Sequence, residues 1–228
     1  MSTRRRAILE RLAALEDGLV VSCQAGEGNP LAGSHTMALM ARAAELGGAR
    51  GLRVNGVADI GAVLRASELP VIGINKVDYE DSAVRITPTV RDAEAILATG
   101  VPFVALDATA RPRPRGEALV AIVDAIHARG ALALGDLATE DDLAGALEAG
   151  VDAVGTTLSG YTVESARDDD EPDFALLRWL VRHSPVPVFA EGRIWTPGQA
   201  VEALRLGASF VVVGTAITNP MAITSRFV

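Results

Sequence analysis

PVIGINK (70–76) is a short apolar run that begins at a proline and ends at a lysine. Runs of the same kind recur along the chain at roughly even spacing. They are LVVSCQ (19–24), ARGLRV (49–54), PFVALDA (102–108), ALALGD (131–136), AVGTT (153–157), PVFAEG (187–192) and FVVVGT (210–215). Short runs that are apolar on both faces are typical of parallel strands covered by helices. The sequence therefore predicts eight parallel strands.

The segments between the runs have the apolar spacing of amphipathic helices, with apolar residues at i, i+3 and i+4. The predicted helices are MALMARAAEL (37–46), DAEAILATG (92–100), EALVAIVDAIHARG (117–130), EDDLAGALEAG (140–150), DFALLRWLVRH (173–183) and GQAVEALRLG (198–207). Thr196 followed by Pro197 reads as a helix cap with proline at the first helical position. Since strand and helix alternate eight times, the fold predicted is α/β, a (β/α)8 TIM barrel. A doubly wound open sheet is the structural alternative, and it would place its site at one switch point.

The chain shows no linker or change of composition, which predicts a single barrel domain over residues 1–228. Segment 2–16 has helical periodicity, and we expect it to form an extra N-terminal helix against the bottom of the barrel. The eighth helix, from Pro220, is short. We expect a neighbouring subunit or the N-terminal helix to cover the gap that it leaves, and we predict a homodimer.

Composition restricts the partners and the compartment. Cys23 is the only cysteine, so a disulfide framework is impossible and a cytoplasmic location is predicted. The first residues carry charge throughout, unlike a signal peptide, and no apolar run approaches the roughly 20 residues that span a bilayer. The formal net charge of -8 argues against nucleic acid or an anionic membrane as the main partner.

Polar residues or glycines stand at the ends of the apolar runs. They are Gln24, Arg53, Lys76, Asp107, Asp136, Thr156, Thr157, Glu191, Gly192, Arg193, Gly214 and Thr215. Active sites of (β/α)8 barrels lie at the carboxyl ends of the strands. A helix cap or a loop ion pair would explain any one of these residues alone. Because so many converge on one face of the barrel, a shared pocket is the better interpretation.

Lys76 and Glu191 are the predicted centre of the chemistry. Lys76 directly follows VIGIN, and the charge of Arg53 together with partial burial would lower its pKa, making a neutral amine available as a base. A solvated surface charge is the alternative interpretation of Lys76, and a salt bridge to Arg193 is the alternative for Glu191. In the functional interpretation, Glu191 carries a proton on the other side of the same substrate.

Two glycine-bearing strand ends, AEGR (190–193) and VVGTAIT (212–218), predict a phosphate site. Glycines let backbone N–H groups approach an anion, and the loops after strands seven and eight are the usual phosphate position in this architecture. The candidate phosphate ligands are Gly192, Arg193, Gly214 and Thr215, although glycine is also common in ordinary turns that follow strands. Three scattered histidines predict no metal site, and the lack of a GxGxxG or P-loop motif predicts no nucleotide cofactor.

Eight segments, in the same order from about the first strand onwards, together resemble the N-acetylmannosamine-6-phosphate 2-epimerase family. They are SCQA (22–25), GGARGLRVNGVADI (47–60), PVIGINK (70–76), VRITPT (84–89), ALDAT with RPRP following (105–114), VGTTLSGYT (154–162), AEGRIWTPGQA (190–200) and VVVGTAIT (211–218). RITPT and VGTTLSGYT are the more specific pieces. Thr215 departs from the pattern, since a serine is common at that position in the family.

The resemblance implies interconversion of N-acetylmannosamine 6-phosphate and N-acetylglucosamine 6-phosphate in sialic acid breakdown, without a redox cofactor. It implies that Lys76 moves the C2 proton and that Glu191 and Arg53 match family site residues. It also matches Gln24 and Asp136 to substrate contacts, and Gly192, Arg193 and Gly214 to phosphate contacts. Asp107, Thr156 and Thr157 are further predicted substrate contacts.

The expected chemistry opens the sugar ring, removes the C2 proton to give an enolate, and returns a proton to the opposite face. In this hypothesis neutral Lys76 takes the proton, and Arg53 and Gln24 steady the enolate oxygen. Glu191 and Asp136 shuttle protons during ring opening. Either Lys76 alone serves both faces or Glu191 supplies the second base.

Two other functions stay open at the level of the sequence. One is another phosphosugar isomerase or a Schiff-base aldolase that uses Lys76. The other is a non-catalytic phosphosugar-binding barrel that acts as a sensor. The presence of both Lys76 and Glu191 argues against the sensor, because a binder has no need of a paired base and acid.

Overall fold

Eight parallel strands close into one barrel in the order in which they follow along the chain. The computed structural model describes residues 10–26 and 28–228. The strands are β1 (Gly18–Cys23), β2 (Gly51–Asn55), β3 (Val71–Ile74), β4 (Phe103–Asp107), β5 (Leu132–Asp136), β6 (Ala153–Gly155), β7 (Val188–Glu191) and β8 (Phe210–Val213). Pairing of β1 with β8, in which Val20 lies opposite Val212, completes the closure. The TIM-barrel prediction is confirmed, and the open doubly wound sheet is excluded.

Each of the first seven strands is followed by an α-helix, and two short helices follow the eighth. The helices are α1 (Ser34–Leu46), α2 (Val57–Ala66), α3 (Val90–Leu97), α4 (Leu119–Ala128), α5 (Asp142–Ala149), α6 (Phe174–His183), α7 (Pro197–Arg205), α8 (Thr215–Thr218) and α9 (Pro220–Ser225). Thr196 caps α7 in a reciprocal capping box with Gln199, as the Thr-Pro pair predicts. Helix α2 was not among the predicted helices, although Ile60 and Val63 have helical spacing and are buried. Its interior Gly61 weakens the helical signal.

Alternate strand residues fill two layers of apolar core. One cluster occupies the barrel interior and includes Val20, Ile72, Leu134 and the stacked rings of Phe189 and Phe210, whose centroids lie 5.1 Å apart. The other cluster lies between the strands and the surrounding helices. Because neighbouring residues of a strand face opposite layers, the interior side chains at the carboxyl ends all point toward one mouth.

The segment before β1 closes the opposite end of the barrel. Leu12 and Leu15 are buried in the interior cluster. The Arg11 guanidinium donates to the carbonyls of Gly130 and Pro102 at 2.7 and 3.1 Å, next to the amino ends of β5 and β4. This agrees with the predicted position at the bottom for residues 10–16. Residues 10–12 are helical but 13–16 form turns, so the predicted helix ends early, and the part of the prediction on residues 2–9 lies outside the described residues.

The last helix, α9, begins at Pro220 and is short, as predicted. Met221 in this helix and Phe227 just after it are exposed. The homodimer that would cover this region stays a prediction. None of the helices within residues 10–26 and 28–228 combines the length and apolar character needed to cross a bilayer.

Candidate active site

A cavity of about 710 Å³ opens at the carboxyl ends of the strands. Most of the predicted site residues line it. They are Gln24, Lys76, Asp107, Thr157, Glu191, Gly192, Arg193, Gly214 and Thr215. Arg53 and Asp136 are not in this lining, since they are buried beneath Glu191, and Thr156 is not, since its hydroxyl bonds the backbone of Glu191. The mouth of the barrel therefore brings the predicted residues together at two depths.

Lys76 stands in the cavity two residues beyond β3. Its backbone N–H donates to the Asn55 side-chain oxygen at 2.8 Å, and its backbone pairs with Ile86, so the chain is held on both sides. The side chain reaches solvent within the cavity, but the walls displace much of its water. This desolvation, together with the Arg53 charge, lowers the Lys76 pKa against the opposing effect of Glu191 and Asp136.

Lys76 is also the only lysine among the 21 lysine and arginine residues of the chain. An arginine keeps its proton at any ordinary pH, whereas a lysine can lose one when its surroundings favour the neutral amine. The only side-chain amine of the protein thus lines the cavity. This compositional signal supports a proton-transfer role beyond what the strand-end position alone indicates.

Arg53 forms a buried ion network beneath the cavity. It lies in the middle of β2 rather than at its end, and its side chain is 1% exposed. Its Nη2 and Nη1 donate to the two Asp136 oxygens at 2.5 and 3.0 Å, and Nη1 also donates to Glu191 Oε2 at 2.7 Å. Asp136, the last residue of β5, is 0% exposed. Of these three charged groups, only Glu191 reaches the cavity, with a side chain 15% exposed.

The network gives Glu191 an unusual titration. Burial raises the pKa of Glu191 to about 7, with Arg53 opposing the shift and the neighbouring Asp136 charge adding to it. Burial alone would lower the pKa of Arg53, but the Asp136 and Glu191 charges outweigh it and raise that pKa. Arg53 is therefore permanently charged, while Glu191 is able to gain and lose a proton near neutral pH.

Two consecutive threonines after β6 hold Glu191 in different ways. The Thr156 hydroxyl donates to the Glu191 carbonyl at 2.9 Å and accepts from the Glu191 N–H at 3.2 Å, so it fixes the backbone of β7. The Thr157 hydroxyl lies 2.6 Å from Asp136 Oδ1 and 3.1 Å from Glu191 Oε2. Thr156, predicted as a substrate contact, is thus placed behind the site rather than in it.

Gln24 follows β1 and lines the cavity between the strands that carry Lys76 and Glu191. Its Nε2 donates to the Ser22 hydroxyl at 2.6 Å. Its Oε1 is buried and has no hydrogen-bond partner among the described residues. A buried acceptor left unpaired is costly, so a donor from a bound molecule would stabilise this arrangement.

Arg193 folds back over the loop that follows β6. Its Nη2 donates to the Gly160 carbonyl at 2.7 Å, and its guanidinium lies 5.1 Å from the centroid of the Tyr161 ring. Gly160 has φ of 79°, and a Cβ there would clash with the guanidinium, so the loop needs glycine at this position. Nη1 of Arg193 is buried and lacks a partner within the part of the chain that is described.

Asp107 lines the cavity, but Thr109 and Arg111 already bind its carboxylate. Oδ1 accepts from the N–H and the hydroxyl of Thr109 at 3.0 and 2.7 Å, and Oδ2 pairs with Arg111.

Several residues that line the cavity were not predicted from the sequence, namely Ser22, Asn55, Arg85, Arg111, Tyr161 and Trp195. Asn55 and Ser22 lie near the carboxyl ends of strands, and this position could have indicated them. Arg85 and Arg111 lie within the motifs VRITPT and RPRP, and these motifs could have indicated them.

Within the described ranges, no three His, Cys, Asp or Glu side chains form a group that could hold a metal ion. The cavity presents the Lys76 amine, the Glu191 carboxylate with a pKa of about 7, and the guanidinium groups of Arg85, Arg111 and Arg193, with Asp107 and Asp170 also in its lining. This set is suited to moving protons on an anionic substrate.

Comparison with known proteins assigns this site to a family. The NanE family model, described as "Putative N-acetylmannosamine-6-phosphate epimerase", matches residues 37–228. The chain belongs to this epimerase family. Its relatives include two proteins described as "Putative N-acetylmannosamine-6-phosphate 2-epimerase". The one from Clostridium perfringens (strain SM101 / Type A) is 46% identical over 216 residues, covering 95% of this chain and 97% of the relative. The one from Caldanaerobacter subterraneus subsp. tengcongensis is 45% identical over 222 residues, covering 96% and 93%.

A solved structure of the family has the same fold over almost its whole length. It is that of the N-acetylmannosamine-6-phosphate 2-epimerase from Clostridium perfringens, with a TM-score of 0.93 and 46% identity. The match covers 95% of this chain and 94% of that chain. The epimerase resemblance of the sequence motifs is confirmed.

Proposed function

We propose that this protein interconverts N-acetylmannosamine 6-phosphate and N-acetylglucosamine 6-phosphate by inverting C2. The observation that carries the proposal is the placement of Lys76 and Glu191. They come from β3 and β7, which are opposite strands of the barrel, and both line one cavity in a member of the epimerase family. Inversion at carbon needs a proton removed from one face and returned to the other, and this pair offers a group on each side.

The C2 hydrogen of the closed sugar is not acidic, so the reaction has to pass through the open-chain aldehyde. Neutral Lys76 takes the C2 proton, and the electron pair of the C–H bond moves onto the aldehyde to form an enolate. Return of a proton to the opposite face of C2 gives the other epimer. Glu191, with a pKa of about 7, is suited to carry protons in ring opening or in the return step.

Of the remaining polar groups, some are proposed to contact the substrate and others to act from beneath the cavity. Gln24 lines the cavity, and we propose that its unpaired Oε1 accepts from a substrate hydroxyl while the second hydrogen of its Nε2 is donated to the enolate oxygen. Both Nη groups of Arg53 are bound to the Asp136 and Glu191 carboxylates and Arg53 does not line the cavity, so we propose that it acts on the enolate by its charge. Asp107, Gly192, Gly214 and Thr215 remain proposed substrate or phosphate contacts.

Arg193→Gln should raise KM for the phosphorylated substrate with a smaller change in kcat. Arg193 Nη1 has no partner among the described residues and is the proposed charged ligand of the phosphate. Loss of one charge-assisted hydrogen bond corresponds to roughly 10–100-fold in kcat/KM. The measurement is a kinetic comparison of substrate with and without the phosphate. An equal loss on unphosphorylated N-acetylmannosamine would contradict a phosphate role.

The test of the proposed function is a proton NMR assay of the purified protein with N-acetylmannosamine 6-phosphate in D2O. The expected result is appearance of the C2 epimer with deuterium at C2. An unchanged substrate after prolonged incubation with folded protein would refute the proposal. Retention of phosphate-ester binding in such a protein would then favour the sensor.

A Schiff-base aldolase is the other enzyme class to separate. Because Lys76 is the only side-chain amine, borohydride reduction of a substrate adduct has one side-chain target. Mass spectrometry that finds the adduct on Lys76, with cleavage products in solution, would favour the aldolase. We expect neither. A cytoplasmic location and a homodimer are part of the proposal and await fractionation and light scattering.

A further inference from the structure

We infer that Thr157 is a positioning residue whose single hydroxyl joins the Asp136 and Glu191 carboxylates into one unit, through which Asp136 affects the reaction without touching the substrate. The inference rests on the proposed epimerase function and assigns Asp136 and Thr157 roles other than the predicted substrate contacts. The Thr157 Oγ1 atom lies 2.6 Å from Asp136 Oδ1 and 3.1 Å from Glu191 Oε2. Arg53 Nη1 bridges the same two oxygens at 3.0 and 2.7 Å.

Asp136 has no route to a bound molecule in this arrangement. Its side chain is 0% exposed and it does not line the cavity. Oδ2 accepts from Arg53 Nη2, and Oδ1 accepts from Arg53 Nη1 and Thr157. A carboxylate enclosed in this way acts on chemistry only through the groups that it contacts. These groups lead to Glu191, the charged member of the network that lines the cavity beside Thr157.

The shared hydroxyl has one hydrogen to donate, so it donates fully to only one carboxylate at a time. When Glu191 is ionised, Thr157 is able to divide its hydrogen bond between the two acceptors. When Glu191 takes a proton from the substrate, Oε2 needs that donor less and the Thr157 hydrogen is free to turn to Asp136. Gain of a proton at Glu191 is thus matched by a rearrangement of one hydrogen bond, with no group left unpaired.

The charged groups that face Glu191 come from three elements. Arg53 on β2 favours the ionised form, Asp136 on β5 opposes it, and Lys76 after β3 favours it. The Thr157 hydroxyl, from the end of β6, also favours the ionised form. Removing the hydroxyl and removing the Asp136 charge should therefore shift the Glu191 titration in opposite directions.

The experiment measures the Glu191 carboxyl titration directly by ¹³C NMR of protein labelled at the glutamate carboxyl carbon, assigned by difference with Glu191→Gln. Thr157→Val keeps the side-chain shape, and its Glu191 midpoint should move up by roughly half to one pH unit. Thr157→Ser should restore the midpoint. Asp136→Asn should move it down. The matched control is Thr156→Val, which removes a hydroxyl that, among the described residues, bonds the Glu191 backbone alone and should leave the midpoint in place.

The epimerisation rate of the same variants is then measured as a function of pH. The limb of the pH–rate profile that disappears in Glu191→Gln belongs to Glu191, and its midpoint in each variant should move with the midpoint measured by NMR. An unmoved midpoint in Thr157→Val overturns the inference, as does a rise in KM with an unmoved limb, which would make Thr157 a direct substrate contact. Should Thr157→Val fail to fold, Asp136→Asn and Thr157→Ala carry the same comparison. Because the titration needs no turnover, it gives its result even if the wild-type protein proves not to be an epimerase.

Discussion

Lys76→Met should remove deuterium exchange at C2 of the epimer that Lys76 deprotonates and lower kcat by roughly 10²–10⁴-fold, the usual contribution of a positioned base. The amine lines the cavity, and its pKa is lowered by desolvation and by the Arg53 charge, so the neutral form needed to accept a proton is within reach. As the pH falls below the lowered Lys76 pKa, the amine becomes protonated and the rate should fall. The measurement is kcat for epimerisation together with C2 exchange in D2O.

Lys76→Arg is the control that separates charge from proton transfer. It keeps a cation in the cavity but one that cannot lose its proton, so it should be as inactive as Lys76→Met while still binding the substrate. Substantial turnover by Lys76→Arg would show that the residue acts only as a charge and that the base lies elsewhere.

The barrel was predictable because its signal is local and repeated. Each strand run is apolar on both faces, and parallel strands buried on both sides require this. Pairing of β1 with β8 follows from eight such repeats, although no single segment indicates it. Helix α2 escaped prediction because Gly61 interrupts its short apolar stripe, and only the packing of Ile60 and Val63 against the barrel makes its inner face evident.

The sequence predicts which residues belong to the candidate site, but not which of them line the cavity and which are buried beneath it. Topology alone sends the ends of β3 and β7 to one mouth, so Lys76 and Glu191 could be paired from the sequence. The depth of Arg53 could not be read, because it depends on β2 continuing to Asn55, which puts Arg53 in mid-strand. The division of labour between Thr156 and Thr157 depends on which hydroxyl points to a backbone and which to a carboxylate, and adjacent identical residues give no such signal.

Glu191→Gln should lower kcat for epimerisation by roughly 10²–10⁴-fold and remove one limb of the pH profile, because a positioned proton carrier with a pKa of about 7 is lost. The amide keeps the shape and is able to accept from Arg53, so folding should be retained. The matched control is Glu171→Gln, which alters an exposed carboxylate in the loop after β6 and should leave kcat unchanged. Both variants are assayed from each epimer, in H2O for kcat and in D2O for C2 exchange.

The exchange pattern of Glu191→Gln decides between one base and two. If Lys76 and Glu191 serve opposite faces, the variant should still exchange the C2 hydrogen of the epimer that Lys76 deprotonates while converting neither epimer, because the proton on the other face is no longer supplied. If Lys76 serves both faces, exchange and epimerisation should fall together from either side. Their position on opposite strands, with only Glu191 of the buried network reaching the cavity, favours the first pattern. Full epimerisation by Glu191→Gln would remove Glu191 from the proton path, and Lys76 would then have to act on both faces of C2.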